Sequence, residues 1–153
     1  MSVALLDVNV LVSLFDPAHP NFEDAHQWFG THRRRGWATC PLTLNGCVRV
    51  LTNPAYLTVT ATISEVAARL QSLCSASDHE AWTDEVSLLD SELFRPAMIA
   101  GHQKITDVYL LGLAVRKKGM LITFDRSIPH KAVVGAERSH LRILGGPVGS
   151  TGG

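Results

Sequence analysis

Short apolar runs alternate along this chain with longer segments of helical period, and that alternation limits the fold more than any other feature. The strand candidates are "VALL" at 3–6, "WATCP" at 37–41, "HEAWT" at 79–83, "MLITF" at 120–124 and "LRIL" at 141–144. "MLITF" in particular is a continuous apolar run that suits a buried strand. After residue 6 the period changes: apolar residues at 8, 10, 11, 12, 14 and 15 form a helical face that Pro17 and Pro20 stop. "NFEDAHQWFGTHRRRG" repeats the pattern through Phe22, Ala25, His26 and Phe29 and closes at Gly36, and "LTLNGCVRVLTNP" ends before Pro54. A capping box, Thr62 with Glu65, opens a helix over 62–75 with Ile63, Val66, Leu70 and Leu73 on one face. "SLLDSELFRPAMIAG" reads as a helix interrupted at Pro96. "ITDVYLLGLAVRKKG" reads as a helix capped by Thr106, with basic residues in its last turn and a stop at Gly119. Strands alternating with helices imply a mainly parallel sheet covered on both faces, hence one three-layer α/β/α domain.

The chain of 153 residues is long enough for a single core, and 46% of it is hydrophobic. No apolar run reaches the roughly 18 residues that a membrane span needs, and no export signal opens the chain, so a soluble, cytoplasmic protein is expected. Cys40, Cys47 and Cys74 are odd in number and lack a C-x-x-C pair, which argues against a disulfide framework or a structural zinc site. The aromatic residues Phe22, Trp28 and Phe29 fit core or interface positions. Formal net charge is zero, yet residues 1–100 carry six basic against eleven acidic residues, and residues 101–153 carry eight against three. That basic segment, with Lys104, Arg116, Lys117, Lys118, Arg126, Lys131, Arg138 and Arg142, is either a scatter of solvated charges or a path for a polyanion, to which Arg33, Arg34 and Arg35 would add. The tail "GGPVGSTGG" has a disordered composition.

Three carboxylates stand out against this frame. Ligands of open parallel sheets bind outside the carboxyl ends of the strands, and Asp7 and Asp125 directly follow two of them. Asp107 lies at the start of the helix that leads into the "LITF" strand. Each has an ordinary alternative, as a helix cap or a partner of a helix dipole. Together, three close carboxylates would repel and raise at least one pKa unless a cation joins them. Hard oxygen donors without His or Cys suit Mg²⁺ or Mn²⁺, and such a site activates water and stabilises charge on a phosphodiester. Asn9 and Thr123 are candidate supporting donors around the carboxylates, with turn or strand chemistry as the alternative.

The segments "LLDVNVLV", "TLNGCVRVLTNP" and "ITDVYLLGLAVRKKGMLITFDRSI", in that order and spacing, resemble the PIN-domain ribonucleases, specifically toxins of the VapC type from bacterial toxin–antitoxin pairs. The similarity runs from Val3 to about Leu144, which sets a PIN domain at 1–146 and a flexible tail at 147–153. It implies a five-stranded sheet of order 3-2-1-4-5, metal-dependent endonucleolytic cleavage of RNA, a cognate antitoxin as inhibitor, and homodimerisation. It also implies that Asp7, Asp107 and Asp125 are the acidic metal and catalytic positions, with the amide at Asn9 beside the first. The family usually adds a Glu in the helix after the second strand, where this chain offers Asn45, an amide without charge. Arg49, one turn later, would add positive charge if it faced the same crevice. Two other readings stay open: a PIN-like binding module with weak or no catalysis, and a haloacid-dehalogenase-type phosphatase, which would need an acid where Asn9 stands.

Overall fold

The structure, a computed structural model, describes residues 2–56 and 58–145; the tail expected at 147–153 lies outside the described residues. Five strands form one sheet: β1 (Ala4–Leu6), β2 (Trp37–Thr39), β3 (His79–Ala81), β4 (Met120–Thr123) and β5 (Leu141–Ile143). Every pairing is parallel and the order is β3-β2-β1-β4-β5, as the resemblance implied. Leu5 faces Ala38 of β2 on one side and Leu121 of β4 on the other, which makes β1 and β4 neighbours at the centre of the sheet.

The pleat sorts the core into two layers. Leu5 and Leu121 pack with Val108, Leu111 and Phe94 on one face. Ala4, Leu6 and Ile122 pack on the other with α1 (Val8–Phe15), α2 (Phe22–His32), α3 (Pro41–Thr52) and α4 (Ile63–Cys74). The first face is covered by α5 (Ile105–Arg116). Because successive side chains of a strand point to opposite faces, the continuous apolar runs of β1 and β4 are what strands buried on both sides require, while the edge strands β3 and β5 are partly buried to exposed. Cys40, Cys47 and Cys74 are free thiols, and burial pushes Cys40 up to about 11 and Cys47 up to about 12, so they behave as small apolar residues. Trp28 and Phe29 are buried, and Phe22 is partly so.

Two expectations about elements need correction. The segment 87–101 is not a broken helix. Ser87 Oγ accepts from Leu89 N at 3.1 Å and Asp90 Oδ1 from Glu92 N at 2.9 Å, and these local turns compete with helical hydrogen bonding. Phe94, 1% exposed, then forms an antiparallel bridge with Val133 and lies over α5, where a Cβ on Gly112 would come within 2.2 Å of its ring. Nor does Thr106 cap α5. A 3₁₀ turn at His102–Lys104 runs straight into the helix, Lys104 takes the capping position without a side-chain bond, and Thr106 falls inside the first turn. Thr62 does cap α4, accepting from Glu65 N at 3.1 Å.

Candidate active site

β1 ends where its backbone is still in the ladder: Asp7 N donates to Ile122 O at 2.9 Å. The next residue starts α1, so Asp7 serves as the helix cap while its side chain stands between the carboxyl ends of β1 and β4. It is 3% exposed. Its Oδ1 accepts from Val8 N at 2.7 Å and its Oδ2 from the Thr123 hydroxyl at 2.7 Å.

Thr123, at the end of β4, is fully engaged. Its Oγ1 donates to Asp7 and accepts from Asn9 Nδ2 at 3.2 Å and from Asp125 N at 3.0 Å, which uses the one donor and two acceptor positions a hydroxyl has. The Asn9 carbonyl oxygen accepts from Phe124 N at 3.2 Å, so both ends of that amide tie α1 to the end of β4. Position 9 therefore offers no acid, and a phosphatase mechanism that needs a proton donor there has nothing to use.

Asp125 follows directly. Its Oδ1 accepts from Ser127 N at 2.8 Å and from the Ser127 hydroxyl at 2.7 Å, an Asx-type turn and not a helix cap. Its Oδ2 pairs with Lys104 Nζ at 3.3 Å, and Lys104 also donates to Ser127 Oγ. Asp107 sits in the first turn of α5, close enough to Asp125 for the two carboxyls to share a hydrogen bond.

Titration reflects this crowding. Burial raises Asp7, helped by the charge on Asp125 and opposed by the bonds from Thr123 and Val8. Burial also raises Asp107, to about 7, together with the hydrogen bond to Asp125 and the charges on Asp7 and Asp125, with Lys104 opposing. For Asp125 burial acts upward too, but the bonds from Asp107, Ser127 and Lys104 outweigh it and hold it well below the usual carboxylate range. Asp107 thus holds its proton up to near neutrality chiefly because it is buried, with the neighbouring carboxylates adding to the effect.

Among the described residues no three His, Cys, Asp or Glu side chains converge closely enough to enclose an ion alone. Within the expected trio, a hydrogen bond between Asp107 and Asp125 raises the one and lowers the other, while the charge of Asp7 raises Asp107 and that of Asp125 raises Asp7. An all-oxygen donor set of this kind still fits Mg²⁺ or Mn²⁺, which bind through one or two carboxylates and keep several waters.

Asn45 is exposed on α3 and lines a groove against α4 that Val48, Arg49, Ile63 and Ala67 also line. The α3 residue turned toward α1 is Gly46, where a Cβ would come within 2.6 Å of Val8, the residue after Asp7. Lys104 and Ser127 do not stand out in the sequence as site residues. Signals exist all the same: Asp-x-Ser is a turn pattern, and Lys104 lies three residues before Asp107, the spacing at which helical side chains meet.

The PIN domain profile matches residues 4–134. Ribonuclease VapC44 of Mycobacterium tuberculosis is 43% identical over 144 residues, which cover 92% of this chain and 99% of the relative. Ribonuclease VapC39 of the same organism is 36% identical over 132 residues, covering 86% and 95%, and Ribonuclease VapC38 is 40% identical over 126 residues, covering 82% and 87%.

Proposed function

The chain belongs to the PIN-domain family, in its VapC branch, and from that premise we propose that it is the toxin of a toxin–antitoxin pair, a Mg²⁺- or Mn²⁺-dependent endoribonuclease. In this reading it acts in the cytoplasm as a homodimer and is silenced by a cognate antitoxin; among the described residues no helix is long and apolar enough to cross a membrane. The observation that carries the proposal is the acidic edge itself: Asp107 and Asp125 beside one another, with the buried carboxylate of Asp7 acting on them at the carboxyl ends of β1 and β4.

Asp107 and Asp125 would hold the ion, with Asp7 adding charge. When bound, it lowers the pKa of a water and neutralises charge on the phosphodiester under attack. The chain's own residues set the geometry. Ser127 fixes Oδ1 of Asp125, and the Thr123 hydroxyl fixes Oδ2 of Asp7. Lys104 keeps a positive charge beside the carboxylates, where an RNA phosphate would arrive. In this reading the site operates with three carboxylates, since Asn45 is an amide and supplies no fourth charge.

Thr123→Val tests the supporting shell. It leaves a buried oxygen of Asp7 without its donor, which costs about 1–3 kcal/mol of stability. Loss of such an outer partner lowers metal affinity by about 10–100-fold. Thermal unfolding and Mn²⁺ titration read the two effects separately; unchanged Mn²⁺ affinity in a destabilised variant would confine Thr123 to a structural role.

The activity is tested by incubating the purified protein with total RNA in Mg²⁺ or Mn²⁺ and mapping the ends produced. Internal cuts that stop with chelator and return with added metal are expected. Cleavage that persists in chelator overturns metal dependence, and RNA left intact in both metals favours the binding-module reading.

A further inference from the structure

Beyond the acidic edge, two adjoining depressions share Trp28, His32 and Arg142. The first, about 210 Å³, opens at the amino ends of β1 and β4 and includes Arg35. The second, about 320 Å³, runs along β5 to Gly145, with Asp24 on its α2 wall as the one acid among the described residues lining either depression. Gly145 connects them to the acidic edge, because its carbonyl accepts from Arg126, the residue after Asp125. Arg126, Arg142 and Arg35 thus follow one another from the residue after Asp125, through Gly145 and the two depressions, to the amino ends of β1 and β4.

Ion pairs separate the basic residues that the sequence could only enumerate. Arg33 is paired with Asp78, Arg116 with Asp90 and Lys117 with Glu85. Among the described residues Arg35, Arg126 and Arg142, like Arg34, Lys118, Lys131 and Arg138, are exposed and form no salt bridge; these three are the ones that line the two depressions or adjoin Gly145. Beside them the His32 ring stacks on Trp28, with centroids 4.9 Å apart and planes 7° from parallel, and so presents a flat π-face over a buried support. Guanidinium forks suit phosphate oxygens, and flat rings suit unpaired bases; single-stranded nucleic acid is held by that combination.

We propose that this edge, from Arg126 through Arg142 to Arg35, is the track for single-stranded RNA flanking the cut site. The proposal rests on the ribonuclease reading and adds to it where the rest of the substrate lies. RNA is favoured over an acidic protein because this edge adjoins the phosphodiester-cutting one at Arg126 and carries an aromatic face as well as charge.

The test is the double variant Arg35→Gln/Arg142→Gln, checked by thermal unfolding and compared with the wild type in two assays. In chelator, a long labelled single-stranded RNA is titrated by fluorescence anisotropy across a salt series. The slope of log affinity against log salt should fall in magnitude by about 1.4, near 0.7 for each phosphate that the variant no longer neutralises. In Mn²⁺, a short oligonucleotide carrying the scissile linkage and its immediate neighbours should be cut at the wild-type rate. An unchanged slope and affinity for the long RNA overturns the track, as does an equal loss of cleavage on the short one. Unchanged RNA binding with lost binding of a polyglutamate peptide assigns the edge to an acidic protein and overturns it too. If the wild type neither binds nor cuts RNA, the ribonuclease reading itself falls; if it cuts both RNAs and the variant loses nothing, only the track falls.

Discussion

Asp125→Asn lowers RNA cleavage by on the order of 10²–10³ while the protein stays folded, a loss of the size seen when one electrostatic group is removed from an active site. The substitution removes an anion from the pair formed with Asp107. It also places an amide N–H where an acceptor is needed: Oδ1 receives two bonds from Ser127 and Oδ2 pairs with Lys104, so either orientation of the amide sets donor against donor. Asp125 lies at the rim of the sheet and is partly exposed, which lets water satisfy the displaced partners and keeps the fold intact. Single-turnover cleavage in Mn²⁺, with circular dichroism on the same sample, checks both halves. Equal cleavage by variant and wild type purified in parallel would trace the activity to a contaminating nuclease.

Metal affinity rises with pH up to neutrality and then levels off. Asp107 is raised from 3.8 to about 7, so between those values the folded protein binds a proton that the unfolded chain has lost. Without metal, therefore, this group's contribution to stability declines as pH climbs from about 4 to about 7. Asp125, held low, acts in the opposite sense; its contribution is present above the usual carboxylate range and is lost as pH falls through its depressed value. A divalent ion must displace the proton on Asp107, so below about 7 affinity drops about tenfold per pH unit, one proton being released per ion. Mn²⁺ titrations at about pH 6 and about pH 8 should differ accordingly. Equal affinity at the two values would mean that the ion binds without Asp107.

Legibility in the sequence depends on whether a signal is local. β1 and β4 read plainly because a sheet buried on both faces makes its central strands continuous apolar runs, and Asp7 and Asp125 read as strand-end carboxylates for the same reason. That those two strands are neighbours is a tertiary fact; periodicity does not encode it, and the resemblance to PIN-domain proteins supplies it. The stretch around Phe94 misleads because its apolar residues recur at helical spacing, while the backbone follows the side-chain turns of Ser87 and Asp90 and the bridge to Val133. Asn45 is legible only through the resemblance: no periodicity marks it, and in the fold it lines the groove between α3 and α4. Lys104 is visible in the sequence only as one basic residue among many, and only the fold brings it to Asp125.

In the proposed enzyme, Asp107 and Asp125, with the charge of Asp7, make one divalent-metal site that drives RNA hydrolysis. Mn²⁺ binding followed by electron paramagnetic resonance, above the pH at which Asp107 loses its proton, measures that site without relying on turnover. Saturable binding to the wild type should be lost in both Asp107→Asn and Asp125→Asn, in parallel with loss of cleavage on the same samples. Wild-type Mn²⁺ affinity in either folded variant would be incompatible with such a site.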